Sequence, residues 1–115
     1  MSFRKLLAWQ KAFDLALDVY KVTKNFPKSE AYNLTSQIQR SAILVPANIA
    51  EGYERQYRKE YLQHLFIAKG SLGEVETYLL LAKNLEYFSK DDYESIEKTR
   101  KETGKILSGL IKSLS

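Results

Sequence analysis

LTSQIQRSAILVPANIAEG, residues 34–52, sets Leu34, Ile38, Ala42, Val45 and Ile49 at steps of four, four, three and four. That spacing stacks them along one side of an α-helix. Beside this apolar stripe run Gln37, Ser41, Asn48 and Glu51, at steps of four, seven and three. A polar row next to an apolar stripe on one helix faces another protein surface as well as, or instead of, water. The segment therefore reads as an assembly seam. Pro46 lies inside it; a proline there removes one backbone hydrogen bond and costs about 3 kcal/mol unless neighbours compensate, so a kink near Ile43 is expected. Gly52 falls close to the end of this second helix, and Tyr53 to Tyr57 supply the turn.

Working outward, the spacing predicts a first helix from Lys5 to Asn25. Trp9, Phe13, Ala16 and Tyr20 form one stripe on it, and Ala12, Leu15, Val19 and Val22 form the neighbouring one. Together they are broad enough to contact two partners. Phe26-Pro27 ends it, because proline disfavours the helical conformation in the residue before it. A third helix is expected from Arg58 to Tyr87, where Tyr61, Leu65, Ala68, Leu72, Val75, Leu79 and Ala82 alternate by four and three in a heptad seam. Gly70 and Gly73 sit within it at about 1 kcal/mol each relative to alanine, so with Ser71 they mark a small patch suited to close approach of another backbone. Ser89 and Asp92 form a capping pair for a fourth helix, whose buried side is Tyr93, Ile96, Leu107, Leu110, Ile111 and Leu114.

The expected fold is all-α and a single domain over residues 1–115: an up-down-up-down four-helix bundle with a Pro-kinked second helix, assembled as a homo-oligomer. A helix of about 30 residues is about 45 Å long, so so small a bundle is slender and leaves apolar surface for association to cover.

With 44% hydrophobic and 28% charged residues, the 115-residue chain has an ordinary globular composition. It contains no cysteine, which removes disulfides, thiolate metal sites and thiol nucleophiles together. No long apolar run or apolar leader is present, so no membrane association and a cytoplasmic location are expected. The net charge of +4 permits nucleic-acid binding without demanding it. Residues 1–25 hold five basic and two acidic residues, whereas residues 89–115 hold six and five, which puts the excess on the first helix.

No reaction can be read from the chain, and neither a cofactor nor a metal is expected. His64 is the single histidine, with Glu60 one turn earlier; a carboxylate-bridged di-iron bundle needs two Glu-x-x-His pairs, so His64 reads as a surface residue. Gln37, Arg40, Asn48, Glu51 and Glu74 are candidates for hydrogen bonding within or between subunits, because a buried polar group without a partner costs about 1–3 kcal/mol. Tyr53, Arg55, Tyr57, Arg58 and Lys59 interleave aromatic and basic side chains at a turn. Rings of that kind stack on unpaired bases while the cations hold phosphates, which makes this the candidate RNA-binding segment. Glu54 interrupts it, and a solvated turn is the competing reading.

Several landmarks carry a resemblance that covers nearly the whole chain: Leu7-Ala8-Trp9-Gln10-Lys11-Ala12, Phe26-Pro27 with Glu30, Tyr32 through Ala42, Pro46-Ala47-Asn48-Ile49-Ala50-Glu51-Gly52, and Ala68-Lys69-Gly70-Ser71-Leu72-Gly73-Glu74-Val75-Glu76. They resemble the four-helix-bundle proteins encoded in intervening sequences of bacterial 23S rRNA genes. Asn33 stands where that family commonly has glycine, and Leu44 where serine is usual. The resemblance implies a ring-like homopentamer without enzyme activity and association with ribosomal RNA. Distant relatives of the architecture act as retroelement accessory proteins that bind a reverse transcriptase and nucleic acid. The expected function is a non-enzymatic, self-associating helical scaffold for RNA or a nucleoprotein partner. The alternative is a protein-interaction module of the reverse-transcriptase accessory type, without nucleic-acid binding.

Overall fold

α1 spans Leu7–Thr23, α2 Leu34–Glu54, α3 Arg58–Asn84 and α4 Lys90–Leu114 in the computed structural model, which describes residues 2–115. No strand occurs among the described residues. The helix ends differ from the sequence reading for local reasons. Phe3–Lys5 form a separate 3-10 turn, and Leu6 is extended at φ −72°, ψ 126°, so α1 starts after Lys5 instead of at it. It stops at Thr23, short of Asn25. The N–H groups of Asn25 and Phe26 turn back onto the carbonyls of Val22 and Thr23, both at 3.1 Å, which tightens the chain ahead of Pro27.

α2 passes through Pro46 and continues two residues past Gly52, whose φ is negative. Gly52 is therefore not a left-handed cap. Asn33, just before α2, has φ −131° and is not left-handed either. α3 ends at Asn84 and not at Tyr87, because Glu86 turns left-handed at φ 60°. The N–H of Glu86 then bonds to the Lys83 carbonyl and that of Tyr87 to the Ala82 carbonyl, each at 3.0 Å. This is a Schellman cap with glutamate in the place glycine usually fills. At the start of α4, Ser89 Oγ accepts the Asp92 N–H at 3.0 Å, as the capping pair predicts.

Each helix packs on the next and α4 returns to α1, while the diagonal pairs α1–α3 and α2–α4 do not meet. The five-residue apolar stripe of α2 is buried throughout. On α3, Leu65, Ala68, Leu72, Val75, Leu79 and Ala82 are buried as the heptad spacing requires, with Tyr61 half-buried at one end. On α1 the core side is Ala8, Ala12, Leu15, Ala16 and Val19; of the other predicted stripe Ala16 is buried and Trp9 packs half-buried against the core, while Phe13 and Tyr20 stay on the outside. α4 adds Ile96, Leu107 and Ile111. Thr103, fully buried among them, has its hydroxyl 2.8 Å from the Thr99 carbonyl and 3.3 Å from the Lys11 carbonyl of α1. The molecule measures 43 × 25 × 20 Å, and its long dimension matches the roughly 40 Å that a helix the length of α3 must span.

The end of the bundle at the α1–α2 and α3–α4 links is closed by Phe26, whose ring meets Tyr87 at 5.5 Å and Phe88 at 5.7 Å. Glu30 straps the two links together: one carboxylate oxygen accepts the Tyr87 hydroxyl at 2.7 Å, and the other accepts the Leu34 N–H at 3.3 Å. The Tyr87 hydroxyl, and after it the Leu34 N–H, hold the Glu30 carboxyl below its usual range, while the carboxylate pushes the Tyr87 phenol up. A depressed carboxyl contributes stability above its unfolded pKa and loses it as pH falls through its folded value. A raised phenol contributes below its unfolded pKa and loses it as pH rises through its folded value. The strap therefore acts between the ordinary carboxylate and phenol ranges. Tyr87→Phe should lower the urea midpoint at neutral pH, with the gap to the wild type closing towards acid. A gap unchanged from neutral to acid pH would show that the Glu30 contact contributes nothing.

Candidate functional site

Where α2 crosses α3, the polar row of α2 meets partners in its own chain. Ser41, buried, donates its hydroxyl to Glu74 Oε1 at 2.8 Å. Asn48 Nδ2 donates to the Leu44 carbonyl at 2.9 Å, which leaves Asn48 Oδ1 to accept from His64 Nδ1 at 3.1 Å. With the amide oriented that way, the proton of a neutral His64 ring sits on Nδ1. His64 is thus half-buried between the helices and not a surface residue. Gly52 lets the crossing form: a Cβ there would lie 2.8 Å from the His64 Cβ, 3.0 Å from Tyr61 Cδ1 and 3.1 Å from the Tyr61 carbonyl oxygen. The sequence signal for this was Gly52 four residues after Asn48 on a helix that continues past both. Reading Gly52 as a terminator concealed it.

The remaining candidates of this group lie apart. Gln37 and Arg40 are exposed on α2, and Glu51 is exposed and ion-paired to Arg55. Ser71 is buried in the side of α3, at 7% exposure. Gly70 and Gly73 are exposed, and a Cβ on either meets nothing within 4 Å, so no backbone of the same chain approaches them closely.

At the turn, Arg55 Nε lies 3.1 Å from Glu51 Oε2 and its Nη1 3.4 Å from Glu60 Oε2. Two carboxylates therefore compete for this cation with any phosphate. Tyr53 packs edge-on to Tyr61 with centroids 6.1 Å apart, and burial pushes the Tyr61 phenol up. Tyr57, 62% exposed, Arg58 and Lys59 stand in solvent. The structure thus leaves a narrower cluster of Tyr57, Arg58 and Lys59 open to a ligand. Among the described residues no group of three His, Cys, Asp or Glu is placed to hold a metal ion, and no helix is long and apolar enough to cross a membrane.

The broadest unpartnered feature is the outward side of α3. Gln63, Phe66, Gly70, Gly73, Thr77, Leu80 and Asn84 follow one another by three and four, a second heptad register beside the buried one. Phe66, Ile67, Leu80 and Leu81 along it are 54, 52, 42 and 48% exposed. A second apolar face lies on α1 and α2, where Trp9 stacks on Phe13 at 4.9 Å and Phe13, Tyr20 and Ile43 are exposed.

The family described as 23S rRNA-intervening sequence protein matches residues 4–109 of the chain. A crystal structure at 1.70 Å of a protein with unknown function from the S23 ribosomal protein family of Bacteroides thetaiotaomicron VPI-5482 is similar, with a TM-score of 0.84 and 29% sequence identity. The similarity covers 92% of this chain and 96% of that one. No curated protein matches.

Proposed function

The chain belongs to the 23S rRNA-intervening sequence protein family, and on that premise we propose that it is a non-enzymatic helical scaffold, a four-helix bundle whose copies associate into a ring, pentameric as in the family it resembles, to carry RNA or a nucleoprotein partner. The observation that carries this reading is the outward face of α3. Large apolar side chains stand exposed at both ends of that face, Phe66 and Ile67 at one and Leu80 and Leu81 at the other, as on an interaction surface. Gly70 and Gly73 notch the middle of that face, where Cβ atoms would hold a neighbouring helix away. The face on α1 and α2 presents the exposed rings of Phe13 and Tyr20. Docking of one face on the other is heterologous, and a heterologous contact closes into a ring when its rotation allows.

The double variant Gly70→Leu/Gly73→Leu tests this reading. Leucine is the better helix former, so the protomer should keep its helicity, while filling the notch should shift sedimentation from oligomer to single protomer. Wild-type protein that sediments as a folded single protomer at micromolar concentration would overturn the scaffold. A second reading, an interaction module without nucleic acid, is favoured by the two carboxylates on Arg55. Titration with RNA separates the two.

A further inference from the structure

Lys98, Lys101, Lys105 and Lys112 follow one another at steps of three, four and seven, which places them on one side of α4 over about 21 Å. All four are exposed, and among the described residues none is ion-paired. The glutamates that balance them in a residue count are engaged with other cations. Glu94 pairs with Lys90 at 3.9 Å, and Glu102 with Lys11 of α1 at 3.5 Å. Glu97 takes Arg100, Nε to Oε2 2.9 Å, and Arg100 also reaches Glu76 of α3 at 3.3 Å. Asp91 and Asp92 sit in the first turn, where the helix dipole favours them. Lys101 and Lys105 share a groove of 370 Å³ between α3 and α4 with Lys69, Arg100 and Ser108, and the one carboxylate in it, Glu76, is paired with Arg100.

The same helix lacks what other partners would need. None of the large exposed apolar side chains belongs to α4; they lie on α1, α2, α3 and the links. An acidic protein would be anchored by buried aromatic or aliphatic side chains, and a membrane by inserted apolar ones. A phosphate backbone needs spaced cations and an open channel. We infer that the lysine row of α4, with Lys69 across the groove, binds the phosphate backbone of RNA independently of its sequence. This inference rests on the reading of the protein as a scaffold for RNA, and it moves the main contact away from the Tyr57–Lys59 turn.

The test is fluorescence anisotropy of the full chain with a short fluorescein-labelled single-stranded RNA of random sequence, over a salt series. The variant Lys98→Gln/Lys101→Gln/Lys105→Gln/Lys112→Gln should bind about a hundredfold more weakly near physiological salt, and its slope of log affinity against log salt should be shallower by about 3. Arg58→Gln/Lys59→Gln should stay within a few-fold of the wild type. Circular dichroism and sedimentation identical to the wild type keep fold and assembly out of the comparison. Wild-type affinity in the lysine variant, with RNA still bound, overturns the α4 assignment and leaves the RNA scaffold standing. Absence of salt-dependent binding by the wild type removes both. Poly-glutamate competing as well as RNA would make the row a site for acidic proteins and overturn the RNA assignment.

Discussion

Gly52→Val is expected to destabilise the fold by about 3 kcal/mol, at the upper end of what overpacking costs. Glycine to a larger residue inside an exposed helix normally gains up to about 1 kcal/mol from propensity. The crossing of α2 and α3 reverses that sign. The first added carbon meets the His64 Cβ at 2.8 Å and the Tyr61 carbonyl oxygen at 3.1 Å, and neither atom can swing aside as the end of a long side chain could. The helices must separate, which also stretches the Asn48–His64 hydrogen bond. Gly70→Ala is the contrast, because its Cβ meets nothing within 4 Å and the propensity gain should survive in the protomer. Urea unfolding followed by circular dichroism reads both, and a Gly52→Val midpoint equal to the wild type would mean that α2 and α3 do not approach so closely.

Ile49→Ala should cost about 3–4 kcal/mol, within the range for large-to-small changes in a core. Ile49 is fully buried on the core stripe of α2, one turn before Gly52. Removing its outer carbons loses their transfer free energy and leaves a cavity that rigid helices cannot collapse. Phe66→Ala removes more carbon but from the outer side of α3, where the ring is 54% exposed, so the protomer should lose far less. Denaturation of both variants under conditions that keep the protomers apart makes the comparison. Equal losses would mean that the outer side of α3 is packed as closely as the core stripe of α2.

The fold was legible because periodicity reports burial. Leu34, Ile38, Ala42, Val45 and Ile49 were grouped by spacing and are buried together, and the heptad of α3 identified its six core residues in the same way. Helix ends were less legible, since they depend on backbone turns that side-chain spacing does not encode; Glu86 at φ 60° is the clearest case. The site was legible in part. Asn48 and Glu74 were recognised as polar groups in need of partners, but His64 and Ser41 as those partners depend on the rotation of α3 against α2, a tertiary quantity. Counting places the basic excess on the first helix; which lysines of α4 lack an acidic partner depends on the ion pairs, which engage Lys90 with Glu94 and leave Lys98, Lys101, Lys105 and Lys112 unpaired among the described residues.

The link between α2 and α3 is only residues 55–57, so these two helices find each other with almost no loop to close. Thr103 and Lys11, by contrast, touch across 92 positions of sequence. Closing a short loop costs little entropy and closing a long one more, so the α2–α3 hairpin is expected to form before α1 and α4 are joined. As α4 is the last of the four helices to leave the ribosome, the core sides of α1 and α3 that it covers stay open to water until it arrives.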